Sequence, residues 1–116
     1  MRIDVGALAE GRAAAFLESL GLTVLHRRFR CRAGELDLVA RDGETIVFVE
    51  VKARGGDAFG SPEEAVDGPK RRRLARAAAV YLAQRGLAEA PARFDVVAVT
   101  PEGIRHLPDA FRADRP

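Results

Sequence analysis

The segment from Gly34 to Arg54, GELDLVARDGETIVFVEVKAR, constrains this chain most, because apolar and polar residues alternate on both sides of an Asp42-Gly43 turn signal. That pattern predicts a β-hairpin. With Asp42 and Gly43 as a two-residue loop, Arg41 faces Glu44, Glu35 faces Glu50 and Asp37 faces Phe48. Side chains alternate between the faces of a strand. Glu35, Asp37 and Val39 therefore share one face with Ile46, Phe48, Glu50 and Lys52, and the other face holds only Leu36, Leu38, Val47, Val49 and Val51. The apolar face is expected to be core, and the mixed face gathers three carboxylates and one ammonium.

Like charges directly across a ladder cost about 0.2–1 kcal/mol, so Glu35 against Glu50 is a liability in a sheet with no use for it. A bound cation reverses the sign. Mg²⁺ is held by one or two carboxylates together with substrate phosphate oxygens, and this face supplies the carboxylates. Spacing alone leaves a second possibility open, a solvated strand face on which Lys52 pairs with its neighbours.

A chain of 116 residues, 47% hydrophobic and 31% charged, is expected to form one domain, residues 1–116, with an ordinary core and no staples. The opening MRIDVGALAEG has no apolar run of signal-peptide length and no segment reaches membrane-spanning length, so a cytoplasmic protein without a membrane partner is expected. Cys31 is the single cysteine, which rules out an intramolecular disulfide and a cysteine-based zinc cluster. His26 and His106 have no metalloprotease spacing and read as ordinary surface or core histidines. The net charge of +2 hides an uneven distribution: Arg27, Arg28, Arg30 and Arg32 crowd one stretch and Lys70, Arg71, Arg72, Arg73 and Arg76 another. Basic clusters beside an acidic site suit a polyanionic substrate, although arginine-rich surfaces also serve solubility alone.

Taken in order, Asp4 can cap a first helix that runs to about Leu20 and stops at Gly21. Its apolar stripe is Ala9, Ala13, Phe16, Leu17 and Leu20, with Glu10 at the margin, able either to reach a site on the sheet or to pair on the helix flank. Thr23 to Phe29 predicts a first strand, and the hairpin supplies the next two. The glycine-rich run 55–60 reads as a connection, and Ser61-Pro62-Glu63-Glu64 as a capping box opening a short helical turn. A longer helix follows from Pro69 to about Arg85, with Leu74, Ala78, Tyr81 and Leu82 inward, Lys70 near the stripe's edge and Arg72, Arg73 and Arg76 outward. FDVVAV within Arg93 to Thr100 is apolar enough for a central strand, and its Asp95 reads as a satisfied structural partner. Ile104 to Leu107 is expected as a short edge strand, with fraying beyond Phe111. The order is helix, three strands, helix, two strands: an α/β layer with a mixed sheet flanked by helices.

Asp37, then twelve residues, then Glu50-Val51-Lys52 resembles the PD-(D/E)xK nuclease signature. AGELDLVARDGETIVFVEVKAR, FGSPEEAV, KRRRLARAA, RFDVV and the closing Ala110-Phe111 together resemble the YraN-type family of small predicted bacterial endonucleases, similar to archaeal Holliday-junction resolvases. The likeness runs from Glu10 to Phe111, and no proline stands just before Asp37, a position that varies widely in the superfamily. It implies a restriction-endonuclease-like core and a metal-dependent endonuclease acting on DNA, branched DNA included. In that scheme Asp37, Glu50 and Glu10 bind Mg²⁺ or Mn²⁺, Lys52 positions or activates the attacking water, and Glu35 is an accessory carboxylate, ligand or structural. Arg28, Arg30, Arg32, Arg54 and Lys70 are the basic residues expected to meet nucleic acid. Resolving a branched junction takes two active sites, hence a homodimer. The alternatives are a nucleic-acid-binding module that keeps the fold with little turnover, and an interaction protein whose charged hairpin face meets a protein partner.

Overall fold

The structure, a computed structural model, describes residues 4–53 and 66–112. Helix α1 spans Val5–Ser19. It begins where the Asp4 carboxylate accepts the Ala7 N–H at 3.0 Å, and the chain leaves it through Gly21 at a φ of 96°. Three strands follow, β1 (Thr23–Cys31), β2 (Gly34–Asp42) and β3 (Thr45–Ala53). Helix α2 (Gly68–Gln84), capped by Asp67, carries the chain over to β4 (Ala92–Thr100), and β5 (Gly103–Phe111) closes it. The expected order αβββαββ is what forms, in keeping with the restriction-endonuclease-like class. Arg54, the glycine-rich run 55–60 and the capping box at 61–64 lie outside the described residues.

The sheet order is β1-β2-β3-β4-β5, antiparallel except for β3 beside β4. A parallel neighbour puts β3 in the middle, where both faces are covered. On one face α1 packs Ala9, Ala13 and Leu17 against Leu38, Ala40, Val47, Val49, Val97 and Val99. On the other, α2 packs Leu74, Ala77, Ala78 and Tyr81 against Val39, Ile46, Phe48, Phe94 and Val96. The single apolar core face read from the hairpin is thus one of two. The mixed face is core as well, over Val39, Ile46 and Phe48, and turns polar only at its Glu50 end.

The hairpin loop also differs from expectation. Asp42 pairs with Thr45 and Leu38 with Val49, so Gly43 and Glu44 form the loop. Gly43 takes a φ of 61°, the left-handed conformation that glycine adopts at least cost when it comes first in a two-residue loop. Placing Asp42 in the loop would have asked an aspartate for that conformation. The slip is two residues, so the paired residues Leu38–Asp42 and Thr45–Val49 keep their expected faces while their partners change. Glu35 now lies opposite Arg30 of β1 instead of Glu50. Two smaller differences concern ends: Leu20 is 52% exposed beyond the α1 stripe, and β5 is longer than Ile104 to Leu107. Pro108 is tolerated there because β5 is an edge strand.

Asp95 is fully buried and explains part of β5's length. It accepts from Arg93 Nε at 3.0 Å and from the Asp109 N–H at 2.9 Å, and it contacts His106 Nε2 at 2.8 Å. This is the satisfied structural partner expected from its position. Removing a hydrogen-bonded buried charge orphans what surrounds it, so Asp95→Ala should lower unfolding free energy by about 3–5 kcal/mol in urea melts. A loss below about 1 kcal/mol would contradict this role.

Candidate active site at a fork in the sheet

β2 stays paired with β1 down to Cys31 and Gly34, but its Cα pairing with β3 ends at Leu38 and Val49. Beyond that point the Val51 N–H donates to Asp37 Oδ2 at 2.9 Å. A side-chain oxygen stands where a main-chain carbonyl would continue the ladder, so the strands fork with Asp37 at the crotch. β2 rolls as it leaves: Leu36 joins the core under α2 while Leu38 lies under α1, although a straight strand would send both to one side. Arg28 of β1 answers with a φ of 55°, a left-handed conformation costing a non-glycine residue about 1–2 kcal/mol. Its guanidinium turns toward α1, where Nε donates to Glu10 Oε1 at 2.7 Å and Nη2 lies 3.4 Å from Asp4 Oδ2.

Glu50 comes to the same fork from β3, with a side chain only 7% exposed. Its Oε2 receives the Lys52 ammonium at 3.1 Å and also that of Lys70, which reaches in from the first turn of α2. Asp67 fixes that turn by accepting the Lys70 N–H at 2.9 Å. Burial pushes the Asp37 carboxyl up to about 7, and the neighbouring charge of Glu50 adds to the effect; the Val51 N–H opposes it, and Glu10 contributes more distantly. Burial and the adjacent Lys70 hold Lys52 below the usual lysine range despite Glu50. Lys70 also loses to burial, but its contact with Glu50 outweighs this and its pKa is raised.

Asp37, Glu50 and Lys52 are thus drawn together, and the expected basic residue Lys70 joins them. Glu10 is buried as its margin position allowed, with its carboxylate engaged by Arg28. Glu35 pairs with Arg30 at 3.0 Å on the exposed rim of the same opening, and Arg32 is exposed at the turn between β1 and β2. Arg54 lies outside the described residues. A cavity of about 240 Å³ at the fork is lined by Gly34, Glu35, Asp37, Glu50, Lys70, Arg73 and Leu74. Arg73 is exposed, as its outward position on the helix predicts, and it also lines this cavity, because α2 overhangs the fork, which a helical wheel does not contain. A larger hollow of about 340 Å³ beside Phe94 and Phe111 includes neither Asp37 nor Glu50.

Among the described residues, no three His, Cys, Asp or Glu side chains converge as a ready metal cluster. Two carboxylates, Asp37 and Glu50, do border the same cavity. A pair of carboxylates fits the habit of Mg²⁺ and Mn²⁺ of keeping several waters and taking further oxygens from a phosphate.

The sign of the pH response follows. An ordinary aspartate titrates near pH 3.9, so between there and about 7 the folded chain holds a proton on Asp37 that the unfolded chain has released. Stability from this group is complete below that window, falls as pH rises through it and is gone above it. In metal-free buffer, Asp37→Asn should therefore gain on the wild type between about pH 5 and pH 8, ending roughly 1–3 kcal/mol more stable. Parallel pH profiles for the two proteins in thermal or urea melts would refute the burial of this charge.

Comparison with known proteins places the chain among relatives. Residues 9–99 match the family described as "Uncharacterised protein family UPF0102". A UPF0102 protein of Moorella thermoacetica is 54% identical over 94 residues, covering 81% of this chain and 78% of the relative. One from Syntrophus aciditrophicus is 49% identical over 113 residues, 94% of this chain and 89% of the relative. Another from Hahella chejuensis is 44% identical over 112 residues, covering 94% and 90%. The family match spans most of α1 and all of β1, the β2–β3 hairpin and α2, so every strand and helix that meets at the fork lies within it. The chain belongs to the UPF0102 family, the YraN-type group that its sequence resembles.

Proposed function

We propose that this protein is a metal-dependent endonuclease that hydrolyses phosphodiester bonds in DNA, with the fork between β2 and β3 as its active site. The observation that carries the reading is the meeting of Asp37, Glu50 and Lys52 at one opening of the sheet, two carboxylates and an ammonium from adjacent strands. Asp37 and Glu50 would hold Mg²⁺ or Mn²⁺, which when bound supplies Lewis acidity toward a phosphate oxygen and a lowered pKa for water. Glu10, whose carboxylate accepts from Arg28 Nε at 2.7 Å, would have to give up that partner to join them as a ligand.

In this reading Lys52, held beside Glu50 at 3.1 Å, orients the attacking water and offsets negative charge as it develops on the phosphate. In the balanced reaction the water oxygen bonds to phosphorus, one ester P–O bond breaks, and the leaving alkoxide takes up a proton. The products are an alcohol and a phosphate monoester. Arg30 and Arg32 on the β1–β2 side are exposed and suited to long-range attraction of the strand. Cutting a branched junction on both strands would call for two such sites in a homodimer.

One observation favours a second reading, a nucleic-acid-binding module with little turnover: both lysines rest on Glu50, and no third carboxylate closes on it among the described residues. Linear, flapped and four-way DNA incubated with Mg²⁺ or Mn²⁺ separates the two. The endonuclease reading expects metal-dependent product, reduced at least about 100-fold in Asp37→Ala, Glu50→Ala and Lys52→Ala while melts stay cooperative. Cleavage that persists in these variants would overturn the assignment. Salt-dependent binding without product would select the module.

A further inference from the structure

Two ammonium groups converge on one carboxylate oxygen, Glu50 Oε2, and they come from different elements. Lys52 lies two residues along the same strand and moves with it. Lys70 is on α2, reaching across the cavity on a flexible four-carbon stem. Both ammoniums lean on Glu50, and of the two only Lys70 can swing away without moving β3.

Its setting indicates what it could then meet. The first turns of α2 carry Lys70, Arg71, Arg72 and Arg73 and no acidic residue, at the helix end where the macrodipole disfavours cations. Helix stability alone does not explain that run. Arg71 is occupied, with Nε donating to Val66 O at 2.9 Å, and Arg72 and Arg73 are both exposed, but only Arg73 of the two borders the cavity. Lys70 and Arg73 are one helical turn apart on neighbouring surface positions, and both line the cavity that holds Asp37 and Glu50. The cavity therefore has an acidic wall from β2 and β3 and a basic wall from α2. An anion bridged to the acidic wall by a cation would meet the basic wall directly.

We propose that Lys70 exchanges partners: a divalent ion arriving at Asp37 and Glu50 displaces its ammonium from Glu50, and Lys70 with Arg73 then grips a phosphate oxygen of the nucleic acid. The proposal rests on the endonuclease reading for the identity of cation and anion. Lys70 holds the acidic wall together before metal arrives and becomes a substrate contact afterwards. Metal and nucleic acid thereby bind in a linked order.

The test separates the two halves. Calorimetric titration of DNA-free protein with Mn²⁺ should show Lys70→Met, and equally Lys70→Gln, binding about fivefold tighter than wild type, the equilibrium equivalent of one partly exposed ion pair removed. Lys70→Arg, which keeps a competing cation, should stay near wild type. With Ca²⁺ in place of the active metal, binding of a short duplex DNA should weaken about tenfold in Lys70→Met and in Arg73→Met, and not in Arg105→Met on the opposite edge strand. Thermal melts of each variant confirm that it is folded. Unchanged or weaker Mn²⁺ binding in both Lys70→Met and Lys70→Gln would overturn the exchange, as would undiminished DNA binding in Lys70→Met. If wild type takes up no Mn²⁺ at all, the metal reading fails first and the exchange falls with it.

Discussion

The hydrogen bond from the Val51 N–H to the Asp37 carboxylate is the contact on which the forked end of this sheet depends. Buried main-chain donors need partners, and in a continuous ladder a carbonyl of β2 would serve. Letting a side chain serve instead frees β2 to stay with β1, opens the sheet and leaves a carboxylate at the opening. The roll of β2 between Leu36 and Leu38 and the left-handed Arg28 are the same event seen in neighbouring residues. None of them would be needed in a flat hairpin.

Burial and charge at the fork then oppose each other. Asp37 and Glu50 are too close and too dry to be comfortable as two anions, and the chain answers with Lys52, Lys70 and a raised Asp37 pKa. An arrangement of this kind lowers its own free energy when a cation comes in. That is why a divalent ion and a phosphate form the most economical account of it, and why Lys70 is the group best placed to give way. The far side of the sheet offers a contrast. Asp95 is more deeply buried still, but Arg93, His106 and the Asp109 amide surround it completely, and it has nothing left to offer a ligand.

Much of this was legible in the residues. The start and stop of α1, the order of the elements and the common face of Asp37, Glu50 and Lys52 follow from Asp4, Gly21 and period-two alternation, because these are local preferences. The register was not, because Asp42-Gly43 and Gly43-Glu44 are both acceptable loops by composition, and only the backbone angle at Gly43 chooses between them. The pairing of Glu10 with Arg28 depends on a distance between elements that no wheel or alternation contains, whereas Glu35 meets Arg30 across the two-residue turn at Arg32-Ala33, a register that turn chemistry alone does not announce. Lys70 was seen at the edge of its helix stripe, yet its contact with Glu50 required knowing where α2 crosses β3.

The central claim, that the fork gathers its charges around a divalent ion, is tested most directly by Mn²⁺-induced broadening of backbone amide resonances in ¹⁵N-labelled protein. The account predicts that Val51, whose amide sits on the Asp37 carboxylate, broadens first together with Asp37, Glu50 and Lys52, and that substituting Asp37 removes the effect. Broadening spread evenly over the surface acids, or centred on Glu18 or Glu89 away from the fork, would contradict it.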